Sequence, residues 1–238
     1  MKLSVYIICL NDDEWIGHAL EYAYTIADEI VVVDGGSNDQ TVKKIIQVEA
    51  HGTRPIYFYE RPMPDSFADQ RNYAIDQCSG DWILHMDADE RYTRGLRDLL
   101  LPMLPTVPDE VLAFSFPSWY LAEDERHYQN EDADPHVRLF RNRPDLRYVR
   151  PVHEHIALNG RILAAHPCHF GDLEQRVVRY QPDVHLLHYG SLRSDRAYSA
   201  WRDRWQRFAA RSSEYGINVD ALVRHPQAIG EIPEEEIP

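Results

Sequence analysis

The sequence predicts an α/β fold: a mainly parallel sheet with helices on both faces, followed by a mixed second half. Three observations predict it. Four short, nearly unbroken apolar runs, of the kind that suit strands covered on both faces, alternate with stretches of helical spacing. Clusters of Asn, Asp, Gly and Ser follow these runs, where an open α/β sheet binds its ligand. Beyond Leu104 the alternation gives way to apolar runs joined by a hairpin signal.

Taken in order, Leu3–Leu10 (LSVYIICL) reads as a buried strand, and Asn11-Asp12-Asp13-Glu14 opens a helix with Ile16, Leu20, Ala23, Tyr24 and Ala27 at helical spacing. Ile30–Val33 is the second strand, ending in Asp34-Gly35-Gly36-Ser37-Asn38-Asp39. Thr41–Ala50 follows as a helix with Val42, Ile45 and Ile46 inward. Ile56–Tyr59 is the third strand. Ser66–Cys78 then places Phe67, Arg71, Ala74, Ile75 and Cys78 near one helical face, and Gly80 is read as its stop before the fourth strand, Trp82–Met86. In the second half Val111–Leu121 and Val137–Arg141 read as strands, and Asn159-Gly160 marks a hairpin within Ile156–Ala164. Asp195–Tyr215 reads as a helix whose stripe of Tyr198, Trp201, Trp205 and Phe208 serves packing rather than sugar stacking. The expected division is a ligand-binding half over 1–104, a second half of the same domain over 105–224 and an acidic tail over 225–238, with no internal repeat.

The 238 residues are 44% hydrophobic and 27% charged, enough for one large domain with a substantial core. Lys and Arg number 25 against 39 acids, a net charge of −14 that disfavours nucleic acid or an anionic membrane surface as the main partner. A phosphate-bearing ligand would therefore need local neutralisation. No apolar stretch reaches membrane-spanning length, and MKLSVYIICLNDDEW turns acidic too early for a signal peptide, so a cytoplasmic location is expected. Cys9, Cys78 and Cys168 form no C-x-x-C pair and are expected to be reduced and structural.

The stretch LHMDADE, residues 84–90, sets Asp87, Asp89 and Glu90 directly behind an apolar strand. Acids there often only cap a helix or solvate a turn. At the carboxyl end of a strand, however, aspartates at i and i+2 can converge on a hard divalent cation, Mg²⁺ or Mn²⁺, with substrate phosphates completing its shell. After the second strand, Gly35 and Gly36 let backbone approach a ligand and Asp34 offers an acceptor to a base or ribose. Neither G-x-G-x-x-G nor a phosphate-binding G-x-x-x-x-G-K-S/T loop is present, which weighs against NAD and ATP.

Three blocks, SVYIICLNDDEWIGHAL, IVVVDGGSNDQT and QRNYAIDQCSGDWILHMDADE, resemble glycosyltransferase family two, the inverting nucleotide-sugar enzymes of the GT-A fold. PHVRLF, VRPVHEHI and LLHYG resemble, in order, segments of its branch that builds lipopolysaccharide cores and related surface glycans. The resemblance implies that Leu10 and Asn11 at the first strand end, with Asp34, Gly35 and Gly36, hold the nucleotide base. It also implies that Arg71 contacts base or phosphate. Asp87 would face the ribose or a metal-bound water, and Asp89 would ligate Mn²⁺ or Mg²⁺ bridging the diphosphate. His188 is expected either to reach metal or diphosphate or to be a buried structural histidine. A zinc site drawn from His153, His155, His166 and His169 is not expected, since the spacings match no H-E-x-x-H helix.

Inversion needs a base opposite the leaving diphosphate, which points to the second half. Asp124, Asp134 and Glu154 are the candidates. Glu154 in Pro151-Val152-His153-Glu154 leads, for an apolar setting that would desolvate it, and Asp134 is next. Most of the acidic run EDERHYQNEDAD, residues 123–134, is expected to be solvated loop and a mobile lid. The implied activity is metal-dependent transfer from a nucleotide-diphospho-sugar, UDP-linked, to a surface-glycan or lipid-linked acceptor, with peripheral membrane contact allowed. The alternatives are a non-catalytic nucleotide-sugar-binding protein of the same fold and a sugar-1-phosphate nucleotidyltransferase.

Overall fold

The computed structural model describes residues 1–121, 127–192 and 230–238. Its first half runs β1 (Leu3–Cys9), α1 (Ile16–Ile26), β2 (Glu29–Asp34), α2 (Thr41–His51), β3 (Ile56–Glu60), α3 (Phe67–Gln77), β4 (Trp82–His85) and β5 (Glu90–Tyr92). The second half runs β6 (Ala113–Leu121), β7 (His127–Arg141), β8 (Leu146–Val149), β9 (His155–Leu158), β10 (Arg161–Ile162), β11 (Val178–Tyr180), β12 (Leu186–His188) and β13 (Gly230–Glu231).

The main sheet has the order β3-β2-β1-β4-β7-β6-β12-β5. β3, β2, β1 and β4 are mutually parallel, while β7 joins β4 and β6 antiparallel. The apolar runs are unbroken because every residue of β1, β2 and β4 is buried. Odd positions of β1 (Leu3, Val5, Ile7, Cys9) pack with Ile16 and Leu20 of α1 and Ile45 of α2, whereas Tyr6 and Ile8 pack with Ala68, Ala74 and Ile75 of α3. Each such aliphatic side chain taken from water contributes about 1.5–3 kcal/mol. The chain runs outward from β1 to β3 and then returns to β1's other side as β4. That reversal opens a crevice at the carboxyl ends of β1 and β4, where α/β sheets take their ligands.

On its other side α3 meets a small antiparallel sheet, β10-β9-β8, which contributes Leu146, Tyr148 and Ile156 to the same core. The β8–β9 connection is thereby laid over the first turns of α3, with Phe67 N–H donating to Pro151 O at 2.8 Å. Arg150 and His153 in that connection have positive φ, 75° and 49°, a strain that a folded scaffold must hold in place. Asn159 and Gly160 adopt φ of 50° and 80°, the paired left-handed conformation of a tight hairpin, as their sequence predicts.

Several expectations need correcting. Ile46 faces solvent, and Val48 packs inward from α2 instead. Gly80 does not stop α3, which ends at Gln77 with Cys78 extended; a Cβ at residue 80 would come within 2.7 Å of Ser4 N, so the glycine serves the close approach of this turn to β1. The acidic run is not a loop from His127 onward. Its backbone is strand β7, with Glu131 opposite Trp119 and Asp132 opposite Ser118, because a neighbouring strand offering a ladder outweighs local preference for loop. Residues 122–126, with Asp124, and the predicted helix Asp195–Tyr215 lie outside the described residues.

Candidate active site

β4 ends at His85, and a tight turn carries the chain through Asp87 and Asp89 into β5. Glu90 N–H donates to Asp87 O at 3.0 Å, and Asp87 N–H donates back to Glu90 Oε2 at 3.0 Å. α3 delivers Arg71 into this turn. Its Nη1 donates to Asp87 Oδ1 at 2.8 Å and its Nε to Glu154 Oε1 at 2.6 Å, so one buried guanidinium ties the acid beyond β4 to the acid of the β8–β9 connection. β7 delivers Arg138, whose Nη2 donates to Glu90 Oε1 at 2.6 Å and whose Nη1 lies 3.7 Å from Asp87 Oδ2. His85 lies beneath both arginines. It stacks on Tyr6 at 5.2 Å between centroids and its Nδ1 lies 2.7 Å from the Tyr148 hydroxyl.

These contacts set the charges. Burial, then the Arg138 and Arg71 guanidiniums, hold His85 well below the ordinary histidine range, so the ring is neutral. Burial would raise Asp87, but Arg71 foremost, with His85 and Arg138, holds it well below the carboxylate range. Glu90 goes the other way, pushed up to about 8 by burial and by the charges of Asp87 and Asp89 against the pull of Arg138. Donor atoms of His85, Asp87 and Glu90 come within 4.8 Å of one another, a spacing that could hold a metal ion. Two guanidiniums already sit against this group, and their charge would repel a divalent cation there.

Asp89, between Asp87 and Glu90 in the chain, offers a different set of donors. Asp89 is buried, with Oδ2 4.0 Å from His188 Nε2, wider than a hydrogen bond and within the span of two ligand bonds of about 2.1 Å. Pairing of β12 with β5 sets His188 opposite Glu90, and Tyr189 N–H donates to Asp89 O at 2.8 Å. Neither strand β5 nor this pairing is visible in the local sequence. Gly190 is required here, since a Cβ would come within 2.5 Å of Asp89 Oδ2. A carboxylate and an imidazole, with oxygen ligands supplied by a diphosphate, make a donor set that suits Mn²⁺ or Mg²⁺. His188 Nδ1 accepts from Gly190 N–H at 3.1 Å; ligation through Nε2 would move the ring proton to Nδ1 and release that bond.

The ends of β1 and β2 form one tied cluster. Asp34 is buried and accepts from Gly36 N at 2.9 Å, Ser37 N at 2.8 Å and Ser37 Oγ at 2.5 Å. Asn11, at φ 57°, donates its N–H to Ser37 Oγ at 2.9 Å and accepts from Asn38 N at 2.8 Å, while Leu10 N–H donates to Asp12 at 2.9 Å. Gly36 has φ 94°, which a side chain would strain, and a Cβ on Gly35 would meet Cys9 O at 3.2 Å. Asp34 therefore shapes the loop as well as standing where a nucleotide base is expected.

Arg71, Asp87 and Glu154 come together, as do Asp89 and His188. The apolar setting expected for Glu154 is not found: it lies against Arg71, on the wall of a cavity of about 310 Å³ that Arg71, Asp87, Arg138, His153 and His169 also line. Asp134 belongs to β7, between the pairs Phe116–His136 and Ser118–Asp132, and its side chain lies outside the described residues. Arg138, His85 and Tyr148 are functional neighbours that the sequence reading missed. Arg138 was within reach, since PHVRLF sets an arginine between Val137 and Leu139 in a predicted strand.

The sequence profile described as glycosyl transferase family 2 matches residues 4–160. The chain belongs to glycosyl transferase family 2. It is 39% identical over 114 residues, 48% of this chain and 41% of the relative, to the lipopolysaccharide core biosynthesis glycosyltransferase LpsC of Rhizobium meliloti (strain 1021). It is 33% identical over 153 residues, 64% of this chain and 35% of the relative, to a TPR repeat-containing protein of Synechococcus elongatus. The chain thus spans less than half the length of these two relatives. Among solved structures, S. aureus TarS aligns over 80% of this chain and 61% of its own, with TM-score 0.49 and 16% identity. Glucosyl-3-phosphoglycerate synthase from Mycobacterium tuberculosis, in complex with Mn²⁺, UDP and glucosyl-3-phosphoglycerate, aligns over 52% of this chain and 45% of its own, with TM-score 0.40 and 19% identity. No helix among the described residues is long and apolar enough to cross a membrane.

Proposed function

We propose that this family 2 chain is a metal-dependent, inverting glycosyltransferase that moves a sugar from a UDP-linked donor to a surface-glycan or lipid-linked acceptor on the cytoplasmic side. The observation that carries the reading is the Asp89–His188 pair, 4.0 Å apart beyond the carboxyl end of β4, in a fold whose switch-point crevice opens there. Mn²⁺ or Mg²⁺ held by these two residues would neutralise the diphosphate as it leaves. Leu10, Asn11, Asp34, Gly35 and Gly36 hold the nucleotide base at the ends of β1 and β2. Asp87, kept ionised and immobile by Arg71, meets the ribose or a metal-bound water. Arg71 is fully engaged by two acids and acts mainly as the brace between them.

Glu154 accepts the proton of the acceptor hydroxyl across the cavity from the donor side, with Asp134 as the alternative base. The net charge of −14 makes nucleic acid an unsuitable partner. Calorimetry of UDP binding with Mn²⁺, with excess chelator, and with Asp89→Ala tests the reading. Affinity should fall by about 10²-fold or more when either the cation or Asp89 is removed. Equal affinity in all three would overturn the metal role, and UDP binding without transfer from any UDP-sugar would favour a non-catalytic binding protein.

A further inference from the structure

His166, Cys168 and His169 lie on one exposed turn, and each presents a donor atom within 4.8 Å of the other two. We propose that they form a second metal site, selective for Zn²⁺ or a similarly soft divalent ion. The chemistry separates it from the first site. Asp89 and a diphosphate offer mainly oxygen and suit Mn²⁺ or Mg²⁺, whereas a thiolate with two imidazoles suits Zn²⁺ and leaves one coordination position for water or a ligand oxygen.

Backbone hydrogen bonds close the turn. Pro167 restricts its first residue, His169 N–H donates to His166 O at 2.9 Å and Phe170 N–H to Pro167 O at 3.2 Å. The two imidazole rings stand 5.8 Å apart between centroids, inclined at 57°. Little ordering entropy is then left to lose on binding. Cys168 also differs from the other cysteines in exposure: Cys9 and Cys78 are buried in the core, with thiols pushed up by that burial, while Cys168 faces solvent, where an ion can reach it. Loading sends the Cys168 thiol proton to solvent as the sulfur binds. It also ends the hydrogen bond from Cys168 N–H to His166 Nδ1 at 3.1 Å. An ion at Nδ1 takes that lone pair, and an ion at Nε2 moves the ring proton onto Nδ1. His169 also lines the cavity that Glu154 faces, so the ion sits on the rim of the proposed acceptor pocket.

The test is titration of the full chain, stripped by chelation and held in excess Mg²⁺, with Co²⁺ as a visible stand-in for Zn²⁺. One equivalent should produce the thiolate-to-cobalt charge-transfer band in the near ultraviolet and move the Cys168 amide resonance, and Zn²⁺ should bleach the band. Cys168→Ser should abolish the band, His169→Ala should weaken binding at least about tenfold, and Asp89→Ala should leave both unchanged. Because Cys168 is exposed, Cys168→Ser should keep the wild-type melting temperature in chelator while losing the rise that Zn²⁺ gives the wild type. A wild type without the band, a band that survives Cys168→Ser, or an affinity indifferent to His169→Ala would each overturn the proposal.

Discussion

Two buried glutamates stand at opposite ends of the parallel strands, and their surroundings have opposite effects. Glu29, at the start of β2, is buried, which alone would raise its pKa, but hydrogen bonds from the Ser4 hydroxyl, the Ser79 N–H and hydroxyl, and Lys2 Nζ bring it down to about 2. Glu90, beyond the end of β4, is more deeply buried, and that burial, with Asp87 and Asp89 crowding it, pushes it up to about 8. At the amino ends the carboxylate oxygens are met by donors from Lys2, from Ser4 of β1 and from Ser79 in the α3–β4 turn, and the result is a clamp. At the carboxyl ends the acids are gathered faster than the cations that could pair with them, a pattern typical of sites that await a charged ligand.

The largest effect expected from breaking this contrast lies on the carboxyl side. Glu154→Gln should lower the single-turnover transfer rate by roughly 10²–10⁴-fold with UDP affinity nearly unchanged, while Asp134→Asn serves as the comparison. A normal rate for Glu154→Gln beside a collapsed one for Asp134→Asn would move the base role. On the amino side, Glu29→Gln should cost about 2 kcal/mol at neutral pH in denaturant unfolding and leave activity per folded molecule intact. Because the folded pKa is depressed, the wild type keeps this stability above its ordinary 4.5 and loses it as pH falls towards 2, so the two proteins should converge over that interval.

Gly190→Ala should come next, at about tenfold in Mn²⁺-dependent UDP affinity, because a methyl group there pushes Asp89 and His188 apart. Unchanged affinity would detach Gly190 from the cation site. Glu90→Gln should be smallest and opposite in sign to Glu29→Gln. A raised folded pKa means that the ionised form burdens the folded protein from pH 4.5 upward and fully above about 8. In chelator at pH 8 the variant should melt about 2–4 °C above wild type, the equivalent of about 1 kcal/mol, and the gain should vanish near pH 4.5. A lower melting temperature at pH 8 would show that Arg138 compensates Glu90 fully.

Legibility followed the range of the interactions. The four parallel strands and three helices were readable because burial on both faces writes itself into consecutive residues, as in Val5 to Ile8 and Ile30 to Val33. Asp87 and Asp89 were readable because their place after a strand is itself the signal. The remainder depended on partners distant in the chain. Local acidity argued for a loop where β6 draws residues 127–134 into a ladder, and nothing near Glu154 announces that Arg71 will meet it.

By itself, the sequence determined the alternation that makes a parallel sheet, the crevice at its carboxyl ends and the acids that occupy it, since periodicity and strand-end chemistry are local properties. Only the tertiary structure decided which acid stands beside a histidine and which beside an arginine. The antiparallel pairing of β5 with β12 brings His188 to Asp89 while β7 and α3 bring Arg138 and Arg71 to Glu90 and Asp87. The physical reason is that the fate of a carboxylate is set by the charges within a few ångströms of it, and here those arrive from strands and helices far away in sequence.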